Sequence, residues 1–186
     1  MRNLITLMGK PGAGKDTQCL LLEEREHMSI VMVGGEVRRR SATNKVLAKG
    51  QESGALADPE MVNNIVYELL QNTKPDKDIV IDGYPRSIDQ SDFLEKACKN
   101  LNINFSKIVF LSIPDEEVQK RVSLRGRKDD SREILKKRLD VFNTETRPVI
   151  DRYKSKNMLI EVDGLGGVEE IHKRIVKVLG VHEDTN

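Results

Sequence analysis

Gly9-Lys10-Pro11-Gly12-Ala13-Gly14-Lys15-Asp16-Thr17 follows directly on the apolar run Leu4-Ile5-Thr6-Leu7-Met8. Glycines at this density let the backbone curl until several N–H groups face one anion, and a helix starting near Lys15 adds its positive N-terminal end. A strand, a glycine-rich turn ending in Gly-Lys and then a helix is the context in which this pattern holds phosphate. Lys15 is placed to reach the β- and γ-phosphates of a nucleoside triphosphate, and Thr17 to face a magnesium ion. Asp16 interrupts the plain pattern, which has Ser or Thr directly after the lysine. As a first-turn acid it suits the helix N-terminus.

Outward from this loop, the chain reads as alternating strands and helices. Apolar, β-branched runs at residues 4–8, 30–33, 79–81, 108–113 and 158–162 lack polar alternation, as strands covered on both faces do. Asp58-Pro59-Glu60 supplies a cap, a first-turn proline and an acid for a helix with Met61, Ile65 and Leu69 on one stripe. Apolar residues from Ile134 to Tyr153 predict one long helix bent near Pro148. Val168, Ile171, Ile175 and Val178 mark the last helix, which Gly180 ends. The pattern predicts an α/β domain: a five-stranded parallel sheet with helices on both faces.

Composition narrows the function classes. Charged residues make up 33% of 186, but the net charge is only +1, so no bulk bias favours nucleic acid or an acidic membrane. Cys19 and Cys98, the two cysteines, lack a C-x-x-C neighbour, which argues against structural zinc and a disulfide framework. No apolar run approaches the ~20 residues that span a bilayer, and Met1-Arg2-Asn3 has no apolar signal core. A cytoplasmic chain is expected.

Ile79-Val80-Ile81-Asp82-Gly83-Tyr84-Pro85-Arg86 ends a strand with an acid, a glycine and an arginine. An acid there can hold magnesium, usually through water, and an arginine fork matches phosphate geometry. This string resembles the D-G-[FY]-P-R signature of nucleoside monophosphate kinases. The loop at residues 9–18 is similar to that of adenylate kinases, which carry one extra residue, usually Gly, between Lys and Thr. The resemblance spans residues 4–180.

It implies a P-loop NTPase fold in one domain, with its core at residues 1–33, 63–124 and 131–186. A monophosphate-binding insert is implied at 34–62 and a very short lid at 125–130. The implied reaction is Mg-dependent transfer from ATP to AMP, giving two ADP. Pro11, Gly12, Ala13, Gly14, Lys15, Asp16 and Thr17 would hold ATP, and Thr17 with Asp82 would support Mg2+. Arg86 would bind the acceptor phosphate, and Gly83 would let the acceptor approach the backbone. Gln90 matches the glutamine that reads the adenine of AMP, although Ser87 with Gln90 is also a capping box. Val33-Gly34-Gly35-Glu36-Val37-Arg38-Arg39 occupies the place of S-T-G-D-x-x-R. Aligning Glu36 with the aspartate makes Arg39 the acceptor-phosphate arginine, and a shift of one would choose Arg38. Gly34 replaces a threonine near the base, and Leu56 and Ala57 fall where the family packs on that base.

Arg127-Lys128-Asp129-Asp130 followed by Arg138 resembles R-x-D-D-x(7)-R-L, and Arg121 and Arg125 match the helix before it. By that match Arg121 lies against the donor adenine, while Arg125, Arg127 and Arg138 engage phosphates and Asp129 orients an arginine. Gly166 lies in a loop, residues 162–167, similar to the one touching the donor adenine. The short-lid form implies a monomer acting on ATP, AMP and ADP, with no nucleic-acid or membrane partner. Two alternatives remain open: a UMP/CMP kinase of the same fold, and a nucleotide-binding protein impaired in transfer.

Overall fold

The computed structural model describes residues 1–126 and 131–180, which form a five-stranded, wholly parallel sheet in the order β2-β3-β1-β4-β5. The strands are β1 (Asn3–Gly9), β2 (Ser29–Val31), β3 (Ile79–Asp82), β4 (Asn104–Ser112) and β5 (Leu159–Asp163). The helices are α1 (Lys15–Arg25), α2 (Val33–Ser41), α3 (Lys45–Ser53), α4 (Pro59–Gln71), α5 (Ile88–Asn100), α6 (Asp115–Arg125), α7 (Arg132–Val141), α8 (Arg147–Ser155) and α9 (Val168–Leu179). All five expected strands form, and helices cover both faces.

Successive side chains of a strand point to opposite faces, and here they feed two separate cores. Ile5, Leu7, Val80, Val109 and Leu111 pack with Cys19 and Leu22 of α1, Val118 and Val122 of α6, and Ile171 and Ile175 of α9. Leu4, Ile79 and Ile81 face the other way, onto Ile65, Val66 and Leu70 of α4 and Leu94 of α5. Met8, Ile108 and Phe110 meet Val149, Ile150 and Tyr153 of α8 on that same side. Strands buried on both faces must be apolar throughout, which is why they read as unbroken runs.

Strand ends shift by a residue or so from the sequence reading, and three differences are larger. Val33 opens α2 instead of closing β2. β4 begins at Asn104, where its N–H donates to the Arg2 carbonyl at 3.0 Å and a bulge follows the Asn3 and Leu4 pairings. Its first residues are half-exposed and mixed in polarity, so the apolar run begins only later. The long helix expected from Ile134 to Tyr153 stays helical throughout but changes its winding before Pro148. A π-helical turn, Phe142–Thr146, separates α7 from α8, and Pro148, which has no N–H for the helical ladder, follows it directly.

Register brings the two phosphate-related motifs together. Leu7 pairs with Asp82, and the Gly83 N–H donates to the Leu7 carbonyl at 2.9 Å. The turn after β3 therefore lies beside the loop after β1, at the carboxyl ends of neighbouring strands, where open α/β sheets bind ligands.

Candidate active site

One cleft of about 700 Å³ gathers most of the residues singled out above. Pro11, Gly12, Gly14, Lys15, Asp16 and Thr17 form one wall, while Ala13 is fully buried behind them. Lys15 is almost buried, and its Nζ donates to the carbonyls of Gly9 and Lys10 at 3.1 and 3.2 Å. Burial pulls its pKa below the ordinary lysine value, with Asp82 opposing that shift and Arg86 adding to it. The loop is tied outward by Lys10, whose Nζ meets Asp115 Oδ1 at the start of α6 at 2.5 Å.

Opposite stands the turn after β3. Arg86 is fixed at several points: its Nε donates to the Gly83 carbonyl at 2.6 Å, its N–H to Gln90 Oε1 at 2.8 Å, and its carbonyl accepts from Thr146 Oγ1 at 3.1 Å. Gly83 has φ +62°, and a Cβ there would stand 3.0 Å from Arg86 Nη2 and 3.4 Å from Lys15 Cε. Only glycine fits both the conformation and the crowding. Its bare face is where the loop lysine and this arginine converge.

Lost hydration deep in the cleft lowers the Arg86 pKa, against Asp82 and with help from the like charges of Arg138 and Arg38. An arginine guanidinium stays protonated in proteins, so the crowded cations gain most when an anion enters between them. Arg38, Arg86 and Arg138 all line the cleft, as do Arg121 and Arg125. A Cβ on Gly34 would lie 3.5 Å from Arg38 Nη1 and 3.9 Å from Arg86 Nη2, in ordinary van der Waals contact with both guanidinium groups.

Arg39, the first choice for the acceptor phosphate, is absent from the cleft lining. It points outward, its side chain 71% exposed, and pairs with Glu36 at 2.6 and 2.8 Å. Because Val33 already belongs to α2, each residue turns by about 100°. Glu36 therefore draws Arg39 and Arg40 to its own face and leaves Arg38 on the other. That i, i+3 and i, i+4 spacing was the signal in the sequence that could have made this choice.

At the end of the cleft where the donor base is expected, Arg121 donates to Glu117 Oε1 at 2.7 Å and to the Gly164 carbonyl at 2.9 Å, which ties α6 to the loop carrying Gly166. Gly166 lines the cleft, and Gln18 Nε2 holds the Val168 carbonyl at 3.0 Å from beneath. Gly34, Leu56, Ala57 and Gln90, the residues expected around the acceptor base, also line the cleft. The Ser87–Gln90 pair caps α5 only by half: Ser87 Oγ accepts the Gln90 N–H, while the Gln90 amide reaches past Ser87 to Arg86. Sequence reasoning missed Gln18, Glu117 and the π-turn, whose Phe142 and Thr146 also line the cleft. Arg127 and Asp129 lie outside the described residues.

Asp82 is 5% exposed, and its Oδ1 has no hydrogen-bond partner. Burial raises its pKa above the ordinary aspartate value; Lys15 opposes this and the Asp16 carboxyl, within hydrogen-bonding reach, adds to it. A buried carboxylate oxygen with no partner, with Thr17 on the same cleft, suits the oxygen-ligand demand of Mg2+. No group of three or more acidic, histidine or cysteine side chains fit for a metal occurs among the described residues. No helix among them is long and apolar enough to cross a membrane.

Residues 7–158 match the family model for adenylate kinase. The chain is 35% identical over 185 residues to an adenylate kinase of Leptospira biflexa, covering 95% of this chain and 99% of that one. It is 31% identical over 180 residues to an adenylate kinase of Nocardia farcinica and to adenylate kinase 1 of a Nostoc species, each match covering 95% of this chain and 98% of the other. The chain belongs to the adenylate kinase family.

Proposed function

We propose that this chain catalyses reversible, Mg-dependent phosphoryl transfer from ATP to AMP, giving two ADP. One observation carries the reading: Lys15, from a triphosphate loop, and Arg86, from an acceptor signature, converge on the bare face of Gly83. Two anions brought to that point are held in line by opposite walls of one cleft. The N–H groups of residues 9–17 and Lys15 hold the donor phosphates. Arg86, Arg38 and Arg138 hold the acceptor phosphate, with Arg38 in the role that resemblance first gave Arg39.

Phosphoryl transfer leaves little covalent work for a protein, and positioning with charge stabilisation does most of it. No general base is needed, because the acceptor phosphate is itself the nucleophile. Arg121 and the Gly164–Gly166 loop hold the donor base. Gln90 reads the acceptor base: its Oε1 accepts from Arg86 yet keeps a second lone pair, and its Nε2 donates. A bound Mg2+, held from Asp82 and Thr17, supplies charge neutralisation of the donor phosphates. Arg125 and Arg127 join the phosphates, and Asp129 orients an arginine, as the short lid, 125–130, and the insert, 34–62, close and exclude water. The enzyme works as a cytoplasmic monomer on free nucleotides.

The test is a coupled assay with ATP and each of AMP, CMP, UMP and GMP. AMP should give the highest kcat/KM. A preference for CMP or UMP would overturn the adenine assignment to Gln90, and no ADP from any acceptor would overturn the enzyme.

A further inference from the structure

The buried residues of α1 are Lys15, Gln18, Cys19 and Leu22. Cys19 and Leu22 pack into the core with Ile171 and Ile175 of α9, and Lys15 lines the cleft. Gln18 does neither of these things alone. It lines the cleft, yet only 2% of it is exposed; its Nε2 donates to the Val168 carbonyl at 3.0 Å, and its Oε1 is buried with no hydrogen-bond partner. Burying an amide that is only half paired costs free energy, and an apolar side chain of the same length avoids that cost. Packing therefore does not explain an amide at this position. What the amide holds does.

Val168 opens α9 directly after Gly166 and Gly167, and all three line the cleft. The loop before α9 is tied at other points: Arg121 donates to the Gly164 carbonyl, Arg174 Nη1 to the carbonyls of Asp163 and Leu165 at 2.9 and 2.5 Å, and the Gly167 N–H to Glu170 Oε2 at 2.8 Å. Those ties run to α6 and to α9 itself. Gln18 supplies one from the helix of the phosphate loop, and its own N–H donates to the Gly14 carbonyl at 3.0 Å. A single residue thus joins Gly14 at one end of the cleft to Val168 at the other. We propose that Gln18 is a positioning residue for the donor nucleotide: it sets the distance between the loop that takes the triphosphate and the loop that takes the base. Small errors in such a distance are costly, because both ends of one molecule must seat together. The inference rests on the donor-site reading above, adds the residue that couples its two halves, and needs no contact between Gln18 and the nucleotide.

Gln18→Met keeps the length of the side chain and removes its donor, while Gln18→Asn keeps the amide but falls short of Val168. Steady-state kinetics should show KM for ATP raised about three- to tenfold in each, as loss of one positioning hydrogen bond does. Both kcat and KM for AMP should stay within about twofold of wild type. Inorganic tripolyphosphate, which competes with ATP for the phosphate loop but carries no base, should inhibit wild type and variants equally. Arg25→Ala is the control: it breaks the exposed Arg25–Glu169 pair, which also joins α1 to α9, and should leave KM for ATP unchanged. Thermal unfolding verifies that each variant is folded, and where one Gln18 variant is not, the other is read. A wild-type KM for ATP in the Gln18 variants would overturn the proposal. So would an equal loss of tripolyphosphate inhibition, or the same rise in KM for ATP in Arg25→Ala. Formation of ADP and tripolyphosphate competition in the wild-type chain are read separately: failure of either would sink the donor-site reading, whereas both with an unmoved KM for ATP would sink only the role of Gln18.

Discussion

The two walls of the cleft are built by different means. The proposed donor wall is nine consecutive residues whose backbone would do the binding, with Ala13 fully buried, Lys15 nearly so and the lysine tail pinned to its own loop carbonyls. The proposed acceptor wall is a set of arginine side chains from separate elements: Arg38 on α2, Arg86 after β3 and Arg138 on α7. The first is preorganised by local chain geometry. The second exists only because the fold delivers like charges to one place, and burial with mutual repulsion lowers the Arg86 pKa. A backbone site is thus cheap to hold, while a side-chain site stores repulsion that an anion relieves.

The largest effects should come where the walls meet. Lys15→Met removes the only side-chain cation of the donor loop's inner face, and Arg86→Ala removes the best-anchored cation of the acceptor wall. Each is expected to lower kcat/KM by about 10³-fold or more. They should differ in how: Lys15→Met mainly through kcat, Arg86→Ala through kcat together with KM for AMP. Steady-state kinetics with both substrates varied would check this. Near-normal turnover in either variant would remove the basis for a two-walled site.

Next in size is the choice between neighbouring arginines. Arg38→Ala should raise KM for AMP and lower kcat/KM by about 10²-fold, as loss of one positioned charge donor does. Arg39→Ala should change kcat/KM less than about threefold, since it breaks only an exposed ion pair worth up to ~1 kcal/mol. The reverse ranking, in the same assay, would return the acceptor phosphate to Arg39.

This pair also shows what a sequence carries. The donor wall was legible because its chemistry is contiguous: strand, glycines, lysine and helix start all lie in one stretch. The five strands were legible because two-sided burial erases polar alternation. Residue order alone did not choose between Arg38 and Arg39, since that depends on where α2 begins; one turn of 100° per residue decides which arginine faces inward. Pro148 drew attention to itself as the bend, while the π-turn beside it left no such mark. That turn matters because Thr146 reaches from it to the Arg86 carbonyl.

Thr146→Val is therefore a smaller test of the same wall. The exchange keeps the shape and removes one hydrogen bond from a buried residue, a loss of about 1 kcal/mol in stability. If the π-turn positions Arg86, KM for AMP should rise several-fold with the donor KM for ATP unchanged. Denaturant unfolding and kinetics together separate the two effects. A loss of stability with both KM values intact would make Thr146 a structural residue only.

The smallest effect concerns how Arg38 comes to face the cleft. The Glu36 pKa falls to about 2, chiefly through its hydrogen bond from Arg39 and then that from Arg40. A glutamate depressed in the folded state lends stability above its unfolded pKa, near 4.5, and loses it as pH falls toward 2. Glu36→Gln should thus be less stable than wild type at neutral pH, by under about 1 kcal/mol because the pair is close to solvent. The gap should close as the pH is lowered through that window. Urea unfolding of both proteins at several pH values gives the curve. A gap that stays constant down to the bottom of the window would mean that the charge of Glu36 does not hold Arg39 and Arg40 on its face. The orientation of Arg38 would then rest on the cleft itself, on the anion proposed to sit among Arg38, Arg86 and Arg138.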